Sequence, residues 1–288
     1  MVEALPVLQP LWRFGLYALV VWTVGLTMFW LHFGATSGLA LAAWVRRGAR
    51  WLFGWGVLGL TLVAFDLAGE PQALWDPTLF ALVWETQAGR ALPWLLAGAL
   101  ALMVTTPQRQ RWRDTLAVAG AVAVLMSLAV AGHATTLGWW GAWLLMAHAV
   151  AWVYWAGALV PLRRLCQQAM QRPQALPVLH HVLVRFGRYA VAYLLLLALS
   201  GLAMALGLVG SWEALLRTAY GQLLLLKLAL AAGLYTVGAL NKWRMVPALQ
   251  WQEQGSALAL RRAIEVEMAL MMVLALVAGI LTTSVTLP

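Results

Sequence analysis

Two histidines, His133 and His148, stand in a stretch apolar enough to belong in lipid, AGHATTLGWWGAWLLMAHAVAWVYWAG at 131–157. No acid lies beside them in sequence, and tryptophans surround them. Imidazole ligates borderline and soft metal ions, and methionine thioether favours Cu(I) in particular. Met126, Val130 and His133 are spaced four and three apart, as one stripe of a helix would be, and His148, Trp152 and Trp155 repeat the pattern. At 1.5 Å per residue from an inner end at Arg113, His133 reaches the outer surface, and His148 lies roughly 12 Å deeper. A tight connection makes their two helices antiparallel neighbours, so both rings can face one polar seam. The plainer alternative is that each imidazole only hydrogen-bonds a neighbouring helix. For a metal site the expected ligands are His133 and His148, with Met126 and Asp66 in support. Asp66, Glu70, Asp76 and Glu85 would draw cations to the same surface.

The elements that must position these residues follow from composition. Of 288 residues, 63% are hydrophobic and 10% charged. A water-soluble domain of this size would carry more charge, so the bilayer is the solvent for most of the chain. Apolar runs of about 20 residues give about eight transmembrane helices, near 14–43, 51–69, 89–106, 114–133, 140–162, 181–209, 220–241 and 262–286. The fold class expected is therefore all-α, a polytopic single membrane domain over 1–288. The first run is read as a span and not as a cleaved signal. Between the second and third spans, 70–88 has acids, prolines and amphipathic spacing and reads as a surface helix. The single cysteine, Cys166, leaves no disulfide framework and no CxxC motif.

The formal charge of +9 would suggest nucleic acid in a soluble protein. Here the basic residues sit in clusters that alternate with acidic connections, so they set topology and no nucleic-acid partner is expected. Arg46, Arg47 and Arg50, then Arg109, Arg111 and Arg113, then Arg163 to Arg188, then Lys242 to Arg262, all fall on one side. The positive-inside rule then places both termini outside, in the periplasm of a Gram-negative inner membrane. "TQAGRALPWLLAGAL" opening the third span and "TAYGQLLLLKLALAA" opening the seventh share Thr86/Thr218, Gly89/Gly221 and Leu92/Leu224. Four spans separate them, which would make a 4+4 parallel repeat.

The chain has no phosphate loop, nucleophile elbow, HExxH helix or paired-carboxylate site, so no enzyme is expected. Polar groups inside the spans are then the functional candidates. Lys227 lies about 10 Å inside the seventh span and is expected to pair with Asp66 or Glu85. At the inner face, Arg261, Glu265, Met268 and Met272 share one stripe of the last helix, and Glu267 and Met271 another. His180, His181, Asn241 and Arg244 belong to the same level. Most of these form an ion-pair lattice in this reading; Met268, Met272 and His181 are candidates to line an exit.

Longer runs carry a resemblance. "GHATTLGWWGAWLLMAHAVAWVYWAGALVPL", "RFGRYAVAYLLLLALSGLAMAL", "TAYGQLLLLKLALAAGLYTVGALNKWRMVPAL" and "LRRAIEVEMALMM" resemble, in order and at similar spacing, segments of the copper resistance D family. The likeness covers 134–288 best; the first half matches chiefly through "TQAGRALPWLL". Ala158 stands where the family often has a second glycine. The resemblance implies an eight-helix inner-membrane protein that handles copper, often beside a small periplasmic copper carrier. It points to His133 and His148, with Lys227, Asn241, Arg244 and Glu267 as further motif positions.

The function expected is copper transport, with Cu(I) entering from the periplasm at His133 and His148. With no fuel module, a gradient or a cytosolic chaperone would pull it. One alternative is a haem b electron-transfer protein, with His32 or His148 as axial ligand. Another is a copper-binding assembly factor that hands the metal to an enzyme.

Overall fold

The computed structural model describes residues 5–69, 77–104, 110–250 and 255–287. Among them the chain is almost entirely helical, with no strand. Glu70, Asp76 and Arg109 lie outside the described residues. α1 (Leu5–Val20) and α2 (Leu26–Ser37) are one rod joined by a π turn at Val21–Gly25. α3 (Leu41–Ala68), the short α4 (Pro77–Glu85), α5 (Gln87–Met103) and α6 (Arg111–Ala129) follow. α7 (Gly138–Gln171) and α8 (Leu176–Val209) are the longest, at 34 residues each. The short α9 (Trp212–Arg217) leads to α10 (Ala219–Leu240), which continues through a π turn at Asn241–Met245 into α11 (Val246–Gln250). α12 (Ser256–Thr283) closes the chain.

Seven of these rods are long and apolar enough to cross a membrane. The eighth expected span is α5, whose 17 residues extend about 25 Å, packed between α3 and α6. The chain is thus an all-α, multi-pass membrane protein. The first boundary differs from expectation. The rod ends at Ser37 on Gly38, whose φ of 65° turns the chain, so α3 begins at Leu41 and the Arg46, Arg47, Arg50 cluster sits inside its opening turns. Apolarity runs on through 38–43, and hydropathy therefore extended the first span past the break and started the second late, at 51.

α7 is the centre of the bundle, packed on α8, α12, α6 and the α1–α2 rod. It meets that rod at Gly25 and Gly157. A Cβ built on Gly25 would stand 2.5 Å from the Gly157 Cα, so the two backbones touch. Without a hydrophobic drive between helices in lipid, such close approach through small residues is how helices gain packing. The main core fills outward from this crossing, with Val20, Val24, Phe29, Phe33, Val153 and Leu159 all buried. α8 and α10 turn broad faces outward, with Leu199 and Leu206 among their most exposed side chains. Lipid covers such faces.

Two helix starts are built alike. Thr86 Oγ accepts from Gly89 N–H at 3.0 Å and donates to the Val83 carbonyl at 2.7 Å. Thr218 Oγ accepts from Gly221 N–H at 3.0 Å and donates to the Ala214 carbonyl at 2.7 Å. In both, a short helix (α4 or α9) precedes the threonine and the capped helix is α5 or α10. The shared Thr-x-x-Gly spacing read in the sequence is a shared N-cap geometry.

At the end where α2, α3, α7 and α8 meet, Arg164 lies 5.2 Å from the ring centre of Trp44 and Arg185 5.7 Å from that of Phe33. The basic clusters therefore gather at one end and are shared between helices.

The Gly25–Gly157 contact predicts that Gly157→Val destabilises the fold by at least about 1–3 kcal/mol, the usual cost of overpacking. Thermal unfolding in detergent measures it, with Gly233→Val on the open face of α10, where a Cβ meets nothing within 4 Å, as the control.

Candidate metal site

The turn that carries His133 is made by its own sequence. Gly132 adopts φ of 103°, and the 3-10 turn His133–Leu137 follows it. Thr135 Oγ donates to the Gly132 carbonyl and Thr136 Oγ to the His133 carbonyl, both at 2.7 Å. Gln87, the first residue of α5, clamps the turn from outside. Its Oε1 accepts from Gly132 N–H at 2.9 Å and its Nε2 donates to Thr135 Oγ at 3.1 Å. Nothing in the sequence marked Gln87, because its partners lie 45 and 48 residues away. The one available signal was its place just after the Thr86 cap.

His133 faces α10: its ring meets Tyr220 edge-on, with centres 5.9 Å apart. Its Nε2 is buried and has no hydrogen-bond partner. A buried nitrogen without a partner is costly in a protein that binds nothing there.

His148 lies about 15 Å along α7 from Gly138. Its Nδ1 is 3.1 Å from the Leu197 carbonyl and 3.3 Å from Ser200 Oγ, both on α8. A carbonyl only accepts, so Nδ1 carries the proton and Nε2 of the neutral ring keeps its lone pair. A ligating histidine is usually held in this way, by a bond on its other nitrogen. His32 is held similarly, Nδ1 to the Met28 carbonyl at 2.8 Å, between the rings of Tyr154 and Tyr189.

The structure therefore gives His133 and His148 separate partners, α10 for one and α8 for the other. Among the described residues no group of three or more His, Cys, Asp and Glu could hold a metal ion. Met126 is half-buried on α6. Asp66 is exposed and accepts from Gln9 Nε2 at 3.3 Å. Lys227 does not pair with Asp66 or Glu85. α10 packs on α9 and α12, whereas α3 and α4 pack on each other and on α5.

At the other end of the bundle, Glu265 Oε1 takes Arg163 Nε at 2.8 Å and Arg261 Nε at 3.0 Å, which is part of the lattice expected there. Arg244 and His181 are exposed. Met268 packs against the core, Met272 faces out at 56% exposure and Met271 is the buried methionine, so neither Met268 nor Met272 is carried forward as a ligand.

The second stripe of α12 is the inward one. Glu267 is 3% exposed and receives Trp155 Nε1–H of α7 on Oε2 at 2.8 Å and Asn241 Nδ2–H on Oε1. Asn241 opens the π turn that follows α10, and its Oδ1 is buried without a partner. The Trp155 ring also packs edge-on against Tyr235, whose hydroxyl donates to the Leu194 carbonyl at 2.9 Å. One carboxylate thus ties α7, α10 and α12 together.

Comparison with known proteins bears on these residues. The family model for copper resistance protein D matches residues 180–281, and that for the copper resistance protein D-like N-terminal domain matches 1–142. Lys227, Asn241, Arg244 and Glu267 fall in the first match, His133 in the second and His148 between them. No curated protein and no solved structure matches the chain.

Trp155→Phe keeps an aromatic ring at the position but loses the pyrrole half of the indole with its N–H, one donor to Glu267. It is expected to cost about 1–3 kcal/mol, the penalty for a buried acceptor that loses its partner. A melting temperature equal to wild type in detergent would show that the carboxylate does not depend on that bond.

Proposed function

The chain belongs to the copper resistance protein D family, and from that premise we propose that it carries Cu(I) across the bacterial inner membrane, from periplasm towards cytoplasm. Copper is the cargo, and no bond-making step on it is needed. The observation that carries the reading is His133 Nε2, a buried nitrogen with no partner at the end opposite the basic clusters. Positive-inside bias makes that end periplasmic, with both termini on the same side.

Cu(I) is soft and weakly hydrated, and imidazole nitrogen suits it. His133 receives the ion at the outer turn, which Gln87 and Thr135 hold in place. His148 stands deeper on α7 with Nε2 as its open nitrogen and Nδ1 fixed to α8. Two single-nitrogen stations in sequence bind loosely enough to release, which passage requires. Met126, half-buried one helix away, and Asp66, exposed at the same end, serve capture and not tight binding. A periplasmic copper carrier delivers the ion, and a cytosolic acceptor or the gradient draws it on.

Purified protein in sealed vesicles with Cu(I) outside and an entrapped copper indicator tests the reading. Wild type fills the vesicles; His133→Ala slows filling by roughly tenfold or more, the scale on which loss of metal-site groups acts. His148→Ala does the same, and the double variant stays folded. Copper bound by wild type without entering the vesicles would instead make the protein an assembly factor.

A further inference from the structure

Glu267 is an acid that the copper route above does not use, and its surroundings are unusual for a charge inside a membrane. It is 3% exposed, and the side chains bonded to it, Trp155 and Asn241, are neutral. Charged groups on the packed helices are engaged, turned elsewhere or distant, Lys227 of α10 standing fourteen residues and about 21 Å before Asn241. Arg163 of α7 and Arg261 of α12 both bond Glu265. Lys242, next to Asn241, lies along α8 beside Gly187. Arg244 is exposed. Tyr235 of α10 spends its hydroxyl on the Leu194 carbonyl. A buried carboxylate in low dielectric needs a positive partner or a proton.

The donor set decides between them. Both carboxylate oxygens face N–H groups, which repel a metal cation and cannot ligate it. Asn241 Oδ1, on a residue 8% exposed, is the unpartnered acceptor. A proton suits this arrangement. With Glu267 ionised, Asn241 Nδ2–H donates to Oε1, as seen. With a proton on Oε1, the amide turned over accepts that O–H at Oδ1, while Trp155 keeps Oε2. The bond to Asn241 survives in both states, and each leaves one amide atom without a partner. A π turn at a helix interior often marks such a site.

We propose that Glu267 binds and releases one proton inside the bundle and that copper movement is coupled to this exchange; the coupling rests on the transport reading above. The O–H bond forms on Oε1 with a proton taken from water and breaks by returning it to water, with no electron transferred. Glu267 lies about 16 Å along α12 from Ser256 and about 24 Å from Thr283, so the Ser256 end is the shorter way to water.

Infrared difference spectra of the full-length protein in lipid vesicles, taken between acid and alkaline buffer, read the exchange without copper. A protonated-carboxyl component is expected to appear at acid pH in wild type and to be missing from Glu267→Gln, the other nine Asp and Glu contributing alike to both. Glutamine preserves the fold, since its Oε1 can accept from Trp155 and its amide can donate to Asn241 Oδ1. Asn241→Leu keeps the band and shifts its frequency, because the carboxyl's partner has gone. A wild-type spectrum equal to that of Glu267→Gln, or a difference between them that is constant across pH, overturns the proton site. In copper-loaded assays with an entrapped pH dye, wild type moves protons as copper enters. Glu267→Gln loses that proton signal and the pH dependence of flux; an unchanged pH dependence overturns the coupling. Wild type that titrates the band but moves no copper defeats the transport reading and leaves the proton site standing.

Discussion

The bundle depends on one contact, the meeting of Gly25 and Gly157 at backbone distance. In water, apolar surface drives helices together, but lipid tails are as apolar as leucine, so a membrane helix gains only what close packing and hydrogen bonds provide. The crossing lets α7 lie directly on the α1–α2 rod, and a π turn sits in the rod at that point. The turn ends at Gly25, the residue that meets Gly157. From there α7 reaches α6 on one side and α12 and α8 on others. His133, His148 and Glu267 are each held by α7, by the turn before it or by a helix packed on it.

The same physics explains where the polar groups stand. In the apolar interior each must find a partner within the protein, and most do so locally: Thr23, Thr27 and Ser200 return their hydroxyls to carbonyls four residues back. The exceptions carry the functional argument. His133 Nε2 and Asn241 Oδ1 are buried without a partner, and Glu267 is a buried acid held by neutral donors. These exceptions lie in separate places. His133 belongs to the turn before α7, whereas Glu267 and Asn241 lie where α7, α10 and α12 meet. A soft cation and a proton thus have chemically distinct places, imidazole nitrogen for one and carboxylate oxygen for the other.

Much of the architecture was legible because its causes are local. Helix-length apolar runs, Thr-x-x-Gly caps and basic clusters each depend on neighbours within a turn or two, and all correspond to built elements. The break at Gly38 was less visible, since hydropathy averages over a window and the break spans three residues. For the site, the residue types at His133, His148 and Glu267 were legible as expensive in lipid, but their partners were not. Gln87 contacts residues more than forty positions away, and Trp155 meets Glu267 across 112. Pairing Lys227 with Asp66 or Glu85 failed for the same reason: depth along a helix can be counted, but which helices are neighbours cannot.

The α12 stripes show how far counting can go and where packing must decide. Glu265 and Glu267 are two residues apart, so on a helix they point to nearly opposite sides. One faces two arginines near the surface and serves as the anchor of an ion-pair lattice. The other turns inward and meets only Trp155 and Asn241. Composition treats the pair as equal, and so does position relative to the membrane. What separates them is that α7 presents Arg163 to the first and Trp155 to the second, roughly two turns apart along α7. A cation on one turn makes a structural acid; an indole on another leaves its acid without a counter-charge and so with chemistry available to it. The division of labour between the two glutamates is therefore made by α7, the helix seated on the Gly25 crossing.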